Sequence, residues 1–336
     1  MKKWKKITLI VVSVILSIIL ALIGTFFIVT YIGKSQFHQE DAHISADEVT
    51  VEDENTISYN DKKYILNKNI VSFLVMGIDR DNVNENLDHG TNGQADVIFV
   101  ATIDTETKKA CIIPISRETM VDVNLYTKEG KYAGTGREQL CLAYAYGNTT
   151  EQSSENVLTS VRRLLYNINI SSYVTVEMEG VEKLTDLVGG IELTCIEDII
   201  YTNYSPKKGE KLTLNGKEAR LYICYRGDDT EANARRMERQ KQFLSALLNK
   251  TSNQVFNNYS KLVDLYTTMT PYFNSDISFA QIAYLAQNCL SMNFGDSIKY
   301  KTIDGVLKQG EKWIEFYADK GSVLQTVIDV FYLPVE

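Results

Sequence analysis

The chain has 336 residues, of which 44% are hydrophobic, so it can form one large folded domain or two small ones. Its formal net charge of −8 at pH 7 argues against broad nucleic-acid binding, which needs a basic face, and favours a discrete anionic ligand at local arginine clusters. The five cysteines are scattered without a C-x-x-C pair, so the sequence predicts neither a zinc site nor a disulfide framework.

The N-terminal segment Ile7–Gly33 carries no charged residue and is longer than the roughly 20 residues that a membrane-spanning helix needs. Lysines crowd residues 1–6 on its N-terminal side. This pattern predicts an uncleaved single-pass anchor at residues 7–33, with residues 1–6 in the cytoplasm and the rest of the chain outside the cytoplasmic membrane. A cleaved signal peptide is the alternative, but the apolar run is too long for one and lacks a small-x-small cleavage site.

Residues 34–61 are polar and poor in aromatic residues, and every charged residue between Glu40 and Asp61 is acidic. Such a composition predicts an extended stalk. The folded body is expected to begin near Lys62, with a main domain at residues 62–250. Residues 251–336 are expected to form a C-terminal extension of helices and strands, in which we assign no motif.

Short apolar runs alternate with amphipathic segments along the folded body. Strands are predicted at Asn69–Gly77, Asp96–Asp104, Ala110–Ser116, Tyr173–Glu177, Ile191–Cys195 and near Ile298–Ile303. Helices are predicted at Ser153–Tyr166, Val181–Val188, from about Asn233 to Lys250, within Asn258–Leu290 and near Ser322–Phe331. The alternation predicts an α/β fold in which a central mixed sheet is flanked by helices on both faces.

Charged residues gather at the ends of the first three predicted strands. Asp79 and Arg80 follow the first strand, Asp96 begins the second, and Arg117 and Glu118 follow the third. Loops at strand ends of an α/β sheet are where ligand groups gather. Two carboxylates and several arginines suit a pyrophosphate held with one Mg²⁺, because Mg²⁺ prefers oxygen ligands and arginine neutralises phosphoryl charge. The alternative is that the aspartates merely cap turns.

A second arginine cluster lies in Cys224–Leu244, around the start of a predicted helix. Its members are Arg226, Arg235, Arg236 and Arg239. Helix periodicity places Arg236, Gln240, Phe243 and Leu247 on one face. This face is cationic at its N-terminal turn and apolar further along. A helix N-terminus attracts anions, and an arginine there adds a fork that fits phosphate. An amphipathic helix with solvated arginines is the alternative.

Seven segments over roughly Phe73–Lys250 occur in the same order as the motifs of a known protein family. They are FLVMGIDR (Phe73–Arg80), GQADVIFVATID (Gly93–Asp104), IPISRETMV (Ile113–Val121), LAYAYGN (Leu142–Asn148), YVTVEMEGVEKLTDLVGGIEL (Tyr173–Leu193), LNGKEARLY (Leu214–Tyr222) and RRMERQKQFL (Arg235–Leu244). Together they resemble the LytR–CpsA–Psr family of membrane-anchored glycopolymer ligases. The resemblance implies a central sheet sandwiched by helices, with a hydrophobic groove for a polyprenyl chain. It also implies Mg²⁺-dependent transfer of a cell-wall glycopolymer, such as teichoic acid or capsule, from polyprenyl pyrophosphate to peptidoglycan.

The resemblance also implies roles for individual residues. Asp79 and Asp96 match the family's metal-associated carboxylates, and Asp96 and Arg117 are expected to act in catalysis. The residues expected to bind the pyrophosphate are Arg80, Arg117, Arg226, Arg236 and Gln240.

Several positions depart from the family pattern. Gln94, Gln139 and Cys224 stand where the family has cations, while Glu118 and Asn233 stand where it has aspartate. Each charge-assisted phosphate contact contributes roughly 1.5–3 kcal/mol, so their loss weakens the expected head-group site. Two alternatives to polymer transfer therefore stay open: a non-catalytic lipid-pyrophosphate-binding protein of wall assembly, and a polyprenyl pyrophosphatase in which water replaces the sugar hydroxyl.

Two cysteines fall in segments that border the same site in the family. They are Cys141 and Cys224, and the second occupies one of the lost cationic positions. An outward-facing domain can form disulfides, so the two either bridge these segments or serve as separate small core residues. Bridging requires Cα atoms within about 7 Å of each other.

Overall fold

The computed structural model describes residues 28–37, 44, 46, 48–78, 93–201, 203–227, 232–258, 260–289, 292 and 298–335. The strands are β1 (Thr50–Val51), β2 (Thr56–Tyr59), β3 (Lys62–Leu66), β4 (Ile70–Ile78), β5 (Ala95–Asp104), β6 (Lys109–Pro114), β7 (Met120–Tyr126), β8 (Tyr132–Gln139), β9 (Ser172–Glu177), β10 (Ile191–Thr194), β11 (Lys211–Leu214), β12 (Phe273–Ser275), β13 (Ile298–Tyr300), β14 (Gly305–Gln309), β15 (Ile314–Ala318) and β16 (Tyr332–Pro334).

The helices in the described residues all follow β8, except for the first. They are α1 (residues 28–36), α2 (Leu142–Ala145), α3 (Thr150–Leu164), α4 (Met178–Leu187), α5 (Gly216–Cys224), α6 (Ala232–Asn257), α7 (Ser260–Met269), α8 (Phe279–Cys289) and α9 (Lys320–Phe331), with a 3₁₀ turn at Thr270–Tyr272. Their starts follow from local capping. Asn215 and Glu218 form a capping box at α5, and the Asp319 carboxylate accepts from the Ser322 N–H at the start of α9.

The central sheet has six strands in the order β12-β9-β4-β5-β6-β13. β4 runs parallel to β9 and antiparallel to β5, and β6 runs parallel to β13, so the sheet is mixed. The register aligns Ile78 with Ala95 and Glu177, an edge that we call the upper end of the sheet. The opposite edge, where Ile70 pairs with Asp104, is its lower end.

Both faces of the sheet are covered, which explains the continuous apolar run of β4. Alternation along that strand places Leu74, Met76 and Ile78 in one core cluster with residues of α3 and α9. Phe73 and Val75 point to the other face, which is covered by α6. The α/β fold with a central mixed sheet and helices on both faces is therefore confirmed.

Helix α8 crosses the lower end of the sheet. Gln281 lies 3.5 Å from the Ser172 hydroxyl of β9, while Asn288 accepts a 2.5 Å hydrogen bond from Lys108 in the β5–β6 turn. Helix α1 lies against α8. Gly33 approaches so closely that an added Cβ would lie 2.0 Å from the Ala280 carbonyl oxygen, and the buried Phe37 ring lies 6.3 Å from that of Tyr284.

Three features differ from the sequence-based expectations. The strands β1 and β2 lie within the predicted stalk and Ile57 is buried, so the folded body begins before Lys62. Helix α6 ends at Asn257 rather than near Lys250. The hairpins β7–β8 and β14–β15 were not predicted; in each of them one strand, β8 or β14, is largely exposed and contains glycine.

The predicted membrane anchor at residues 7–33 lies largely outside the described residues, which include its last part, residues 28–33, as the start of α1. Across the part of the chain that the structure describes, every helix is too short or too polar to span a bilayer.

Candidate functional site

A cavity of about 420 Å³ lies between the central sheet and α6. Its walls are apolar, because the sheet and the helix both present hydrophobic faces to it. The sheet contributes Phe73, Val75, Phe99 and Ala101, and the helix contributes Phe243, Leu244, Leu247 and Leu248. The face predicted along Arg236, Gln240, Phe243 and Leu247 is confirmed, since all four line this cavity.

The two ends of the cavity differ in polarity. At the lower end the lining is apolar and includes Ile103, Ala110, Leu285 and Ile298. At the upper end the lining carries the charged and polar residues Asp96, Arg117, Glu118, Arg236 and Gln240, a group that we call the polar mouth. Because β5 rises about 3.3 Å per residue, Asp96 and Ile103 are about 23 Å apart along the strand. The cavity therefore suits a long apolar molecule with an anionic head group.

Arg117 is held in the polar mouth by contacts from two segments. Its guanidinium pairs with the Asp96 carboxylate, donates to the Gln94 side-chain oxygen and lies 3.5 Å from the Cys141 sulfur. The Arg117 and Asp96 side chains remain 21% and 28% exposed, so a ligand can reach them. Burial disfavours the charged form, but the neighbouring Cys141 and Asp96 raise the pKa of Arg117 above its ordinary value. Arg117 is thus a fixed cation at an open site.

The backbone after β6 sets the position of this arginine. The strand ends at Pro114, and the Ser116 carbonyl accepts the Thr119 N–H at 3.0 Å to close a turn. The Cys141 N–H then donates to the Arg117 carbonyl at 3.1 Å. Within the same turn, Glu118 accepts a 2.6 Å hydrogen bond from the Ser116 hydroxyl. A short turn at the upper end of the sheet therefore projects one cation and one carboxylate beside Asp96.

Helix α6 brings a second cation to the polar mouth. Burial, followed by repulsion from Arg226, lowers the pKa of Arg236, while Asp96 and Glu118 oppose that shift. Arg236 lines the cavity together with Asp96 and Glu118. One turn further along, Gln240 donates to the Ile223 carbonyl at 3.2 Å, which ties α6 to α5. Arg226 follows α5 and is exposed.

The neighbouring arginines of α6 face away from the cavity. Arg235 pairs with Glu197 at 2.7 Å, and Arg239 pairs with the same carboxylate. The Arg239 side chain is 1% exposed, donates to the carbonyls of Tyr222 and Tyr225, and lies 5.3 Å from the Tyr225 ring centroid. Burial lowers the pKa of Arg239 to about 10. Arg239 therefore holds the segment just before Arg226, and neither of these two arginines lines the cavity.

The structure places the remaining sequence-predicted residues as follows. Asp79 and Arg80 lie outside the described residues. Cys141 and Cys224 are free thiols, the first buried and the second exposed, so the bridge between them considered above is not formed. The buried Cys141 sulfur instead packs beside Arg117, a contact that no motif indicated because the two residues come from different loops. Glu118 and Gln94 likewise reach the mouth through tertiary contacts.

The donor set at the polar mouth is compatible with Mg²⁺ bound together with a phosphate ligand. Among the described residues, no group of three or more histidine, cysteine or acidic side chains could hold a metal by itself. Mg²⁺ does not require such a cage, since it is commonly held by one or two carboxylates, waters and phosphate oxygens. Asp96 and Glu118 supply carboxylates at the mouth.

Comparison with known proteins gives a consistent result. The polyisoprenyl-teichoic acid–peptidoglycan teichoic acid transferase TagU of Enterococcus faecalis is 26% identical over 315 residues, which cover 93% of this chain and 88% of that protein. The TagU of Bacillus subtilis is 29% identical over 223 residues, which cover 65% of this chain and 64% of that protein, slightly under two thirds of its length.

Solved structures share the fold. The crystal structure of B. subtilis TagV aligns with a TM-score of 0.62 and 24% identity over 78% of this chain and 97% of that one. The structure of TagT bound to LI-WTA aligns with a TM-score of 0.57 and 18% identity over 78% of this chain and 90% of that one. A family model described as the LytR_cpsA_psr family matches residues 28–327. Because this match spans most of its length, the chain belongs to the LytR_cpsA_psr family.

Proposed function

We propose that this protein transfers a polyprenyl-pyrophosphate-linked cell-wall glycopolymer to peptidoglycan by phosphoryl transfer. The observation that carries the proposal is the shape of the site: an apolar cavity about 23 Å long along β5 opens onto a mouth that contains Arg117 and Arg236. A polyprenyl tail fits the apolar part, and a pyrophosphate fits the mouth. The relatives named as teichoic acid transferases and the TagT structure with LI-WTA support this reading.

The residues of the mouth have distinct tasks in this scheme. A sugar hydroxyl of the acceptor forms a new bond to the phosphorus that carries the polymer, while the bond to the bridging oxygen breaks. Polyprenyl phosphate leaves, and the hydroxyl proton passes to solvent. Arg117 and Arg236 stabilise the charge that builds up on the phosphoryl oxygens, because cations fixed in a partly buried site act without reorganising. Asp96 fixes the orientation of the Arg117 guanidinium through their ion pair.

Mg²⁺ is the cofactor that we propose for this site. Asp96 and Glu118 would hold it, together with Asp79. Bound there, the ion would neutralise charge on the pyrophosphate. Arg80 and Arg226 are proposed as further pyrophosphate ligands, and Gln240 as a hydrogen-bond donor beside them.

The reaction is proposed to occur outside the cytoplasmic membrane, with residues 7–33 as a single-pass anchor. Two described features support a membrane at the lower end. Ile28 and Tyr31 of α1 are 61% and 73% exposed, as expected for residues at the outer boundary of a bilayer. Helix α1 also lies against α8 at the apolar end of the cavity, where a lipid tail would leave the bilayer. Added protease should digest residues 34–336 in intact spheroplasts, and protection of the whole body would contradict this topology.

The direct test uses the full chain in detergent with a lipid-linked donor whose polymer is labelled, Mg²⁺ and peptidoglycan fragments. Label should move to peptidoglycan with the wild-type protein and with Arg163→Ala, and should move about 100- to 1,000-fold more slowly with Arg117→Ala. Arg163 is a suitable control because it is an exposed arginine on α3, on the opposite side of the sheet.

The same assay separates the two alternatives. Release of polyprenyl phosphate without an acceptor and without transfer would identify a pyrophosphatase. Tight binding of the donor with neither release nor transfer would identify a non-catalytic wall-assembly protein, as the cations lost at Gln94, Gln139 and Cys224 would suggest.

A further inference from the structure

The hairpin β14–β15 stands at the polar mouth, between β13 and α9. Its Phe316 N–H donates to the Glu118 carbonyl at 2.9 Å, and the Gln139 side chain donates to the Ile314 carbonyl at 2.8 Å. Glu118 belongs to the turn that projects Arg117. The hairpin is therefore attached directly to the segments that build the proposed phosphate site, although the cavity itself does not include it.

The two faces of this hairpin have different compositions. One face is defined by the strand register, which pairs Lys308 with Glu315 and Val306 with Tyr317. A 2.9 Å hydrogen bond from the Gly310 N–H to the Trp313 carbonyl extends this pairing to the turn. We call this face the Trp313 face; its members are Val306, Lys308, Trp313, Glu315 and Tyr317. The opposite face carries Leu307, Gln309, Ile314 and Phe316.

The Trp313 face combines aromatic rings with hydrogen-bonding groups. Trp313 is 69% exposed, and the residue across from it is Gly310, which has no side chain to cover the ring. The Tyr317 hydroxyl donates to Glu315 at 2.6 Å, and the Lys308 ammonium lies 4.8 Å from the Tyr317 ring centroid. Trp313 and Tyr317 are about 13 Å apart along the strand. Rings at that spacing with charged donors and acceptors between them match a short run of sugar units, whose C–H faces stack on aromatic rings.

Position and charge decide which molecule this face binds. The hairpin contacts Glu118 at the upper end of the sheet, whereas α8 lies at the lower end, about 30 Å away along β5, so the hairpin is at the end opposite the proposed membrane. Its two lysines, Lys308 and Lys312, are balanced by Glu311 and Glu315. A hairpin without net positive charge is poorly suited to an anionic bilayer or a polyanionic polymer. A neutral glycan strand fits it better.

We propose that the Trp313 face binds the glycan strand of the peptidoglycan acceptor and presents a sugar hydroxyl to the polar mouth. This inference rests on the proposed function, because it supplies the acceptor side of the same reaction. Trp313 provides the stacking platform, and Lys308 and Glu315 provide hydrogen bonds to the sugar hydroxyl groups. The donor lipid binds independently, in the cavity.

The test compares Trp313→Ala with Leu307→Ala in the full chain. Leu307 is a matched control, since it is 60% exposed on the same hairpin but on its opposite face. The probes are soluble peptidoglycan glycan strands whose lactyl carboxyls are amidated, so that the strands are neutral, polyprenyl monophosphate, and vesicles that contain anionic lipid. Trp313→Ala should weaken glycan binding about tenfold or more, as truncation of an aromatic anchor does at other binding surfaces. Leu307→Ala should change it less than about twofold, and Trp313→Phe should restore most of the binding.

The outcomes separate this proposal from the proposed function. The acceptor proposal is wrong if the wild-type protein does not bind the strands, if Trp313→Ala binds them normally, or if Leu307→Ala loses as much binding. It is also wrong if Trp313→Ala loses only vesicle binding or only self-association. Polyprenyl monophosphate binding should be unchanged in both variants. If the wild-type protein fails to bind that lipid and to transfer polymer, the proposed function is wrong instead. Equal unfolding temperatures of the variants would show that the hairpin stays folded.

Discussion

Two arginine–carboxylate pairs of this protein, Arg239–Glu197 and Arg117–Asp96, serve different purposes. Arg239 pairs with Glu197 and is 1% exposed, with its remaining donors on the carbonyls of Tyr222 and Tyr225. Arg117 pairs with Asp96, but 21% of its side chain is exposed at the open end of an apolar cavity. The first guanidinium is enclosed by protein acceptors, whereas the second remains accessible to a ligand.

This difference shows how one residue type is used for structure and for binding. A buried arginine whose donors meet protein oxygens holds two segments together, and its removal leaves buried acceptors without a donor. An arginine fixed by one carboxylate at a cavity mouth can accept a phosphate as a further partner. Sequence position does not distinguish them, since both lie in segments that resemble family motifs. The two arginines differ in how completely the protein encloses them.

The largest effect is expected at the enclosed pair. Arg239→Ala should lower the free energy of unfolding by about 3–5 kcal/mol, because it removes one of the two partners of Glu197 and leaves the carbonyls of Tyr222 and Tyr225 without this donor. Denaturant unfolding of the purified full chain measures this. The control is Lys207→Ala, which removes a largely exposed pair with Asp198 and should cost about 1 kcal/mol or less. Similar small losses in both variants would show that Arg239 is not the structural arginine of the two.

The next largest effect is expected at the accessible pair, Arg117–Asp96, where the loss is in activity rather than in stability. Arg117→Ala should reduce the rate of polymer transfer by about 100- to 1,000-fold, the range seen when one fixed donor to developing negative charge is removed. Its free energy of unfolding should fall by about 1 kcal/mol, because the pair is partly exposed. A variant that loses stability and activity in proportion would place Arg117 in the same class as Arg239.

A substitution in the apolar cavity tests the binding of the lipid tail separately from the binding of its head group. Ala101→Phe should fill part of the apolar cavity and weaken the binding of long-chain polyprenyl phosphate about tenfold, which corresponds to about 1.4 kcal/mol. A water-soluble phosphate analogue without the tail should bind as before, since the mouth is unchanged. Ala234→Phe, an exposed alanine on α6, is the control. Equal effects on both ligands would show that the cavity does not hold the tail.

The smallest effect is expected from restoring a family cation. Gln94 accepts a hydrogen bond from Arg117, so Gln94→Arg would add a charge to the mouth and also repel Arg117. The gain in donor affinity should therefore be about threefold, less than the roughly 1.5–3 kcal/mol of an isolated charge-assisted contact. Isothermal titration with polyprenyl phosphate measures it. Weaker binding would mean that Arg117 already neutralises the head group and that the substitution displaces it.

Much of the fold and part of the site followed from local patterns. Helix periodicity placed Arg236, Gln240, Phe243 and Leu247 on one face, and the structure confirms it because α6 is regular through that segment. Strand-end reasoning placed Asp96 near Arg117, which also holds. Both inferences depend on the geometry of a single element or of neighbouring strands.

The remaining features depend on distant contacts. Arg235 and Arg239 were grouped with Arg236, and the group divides because Glu197, nearly 40 residues earlier in the chain, covers the opposite side of α6. The hairpin β14–β15 has short strands, exposed positions and a glycine at its turn. The sequence therefore has no periodic apolar pattern that predicts these strands. Its place at the mouth is set by contacts with Glu118 and Gln139, which are far away in sequence.

The central claim is that Arg117 and Arg236 receive the phosphate of a lipid whose tail lies in the cavity. A crystal structure of the protein with polyprenyl monophosphate tests it most directly. The phosphate should lie within hydrogen-bonding distance of both guanidinium groups, with the tail running between β5 and α6 past Phe243 and Leu247 toward the lower end of the sheet. A lipid bound elsewhere, or a phosphate that contacts Arg235 or Arg239 instead, would contradict this account.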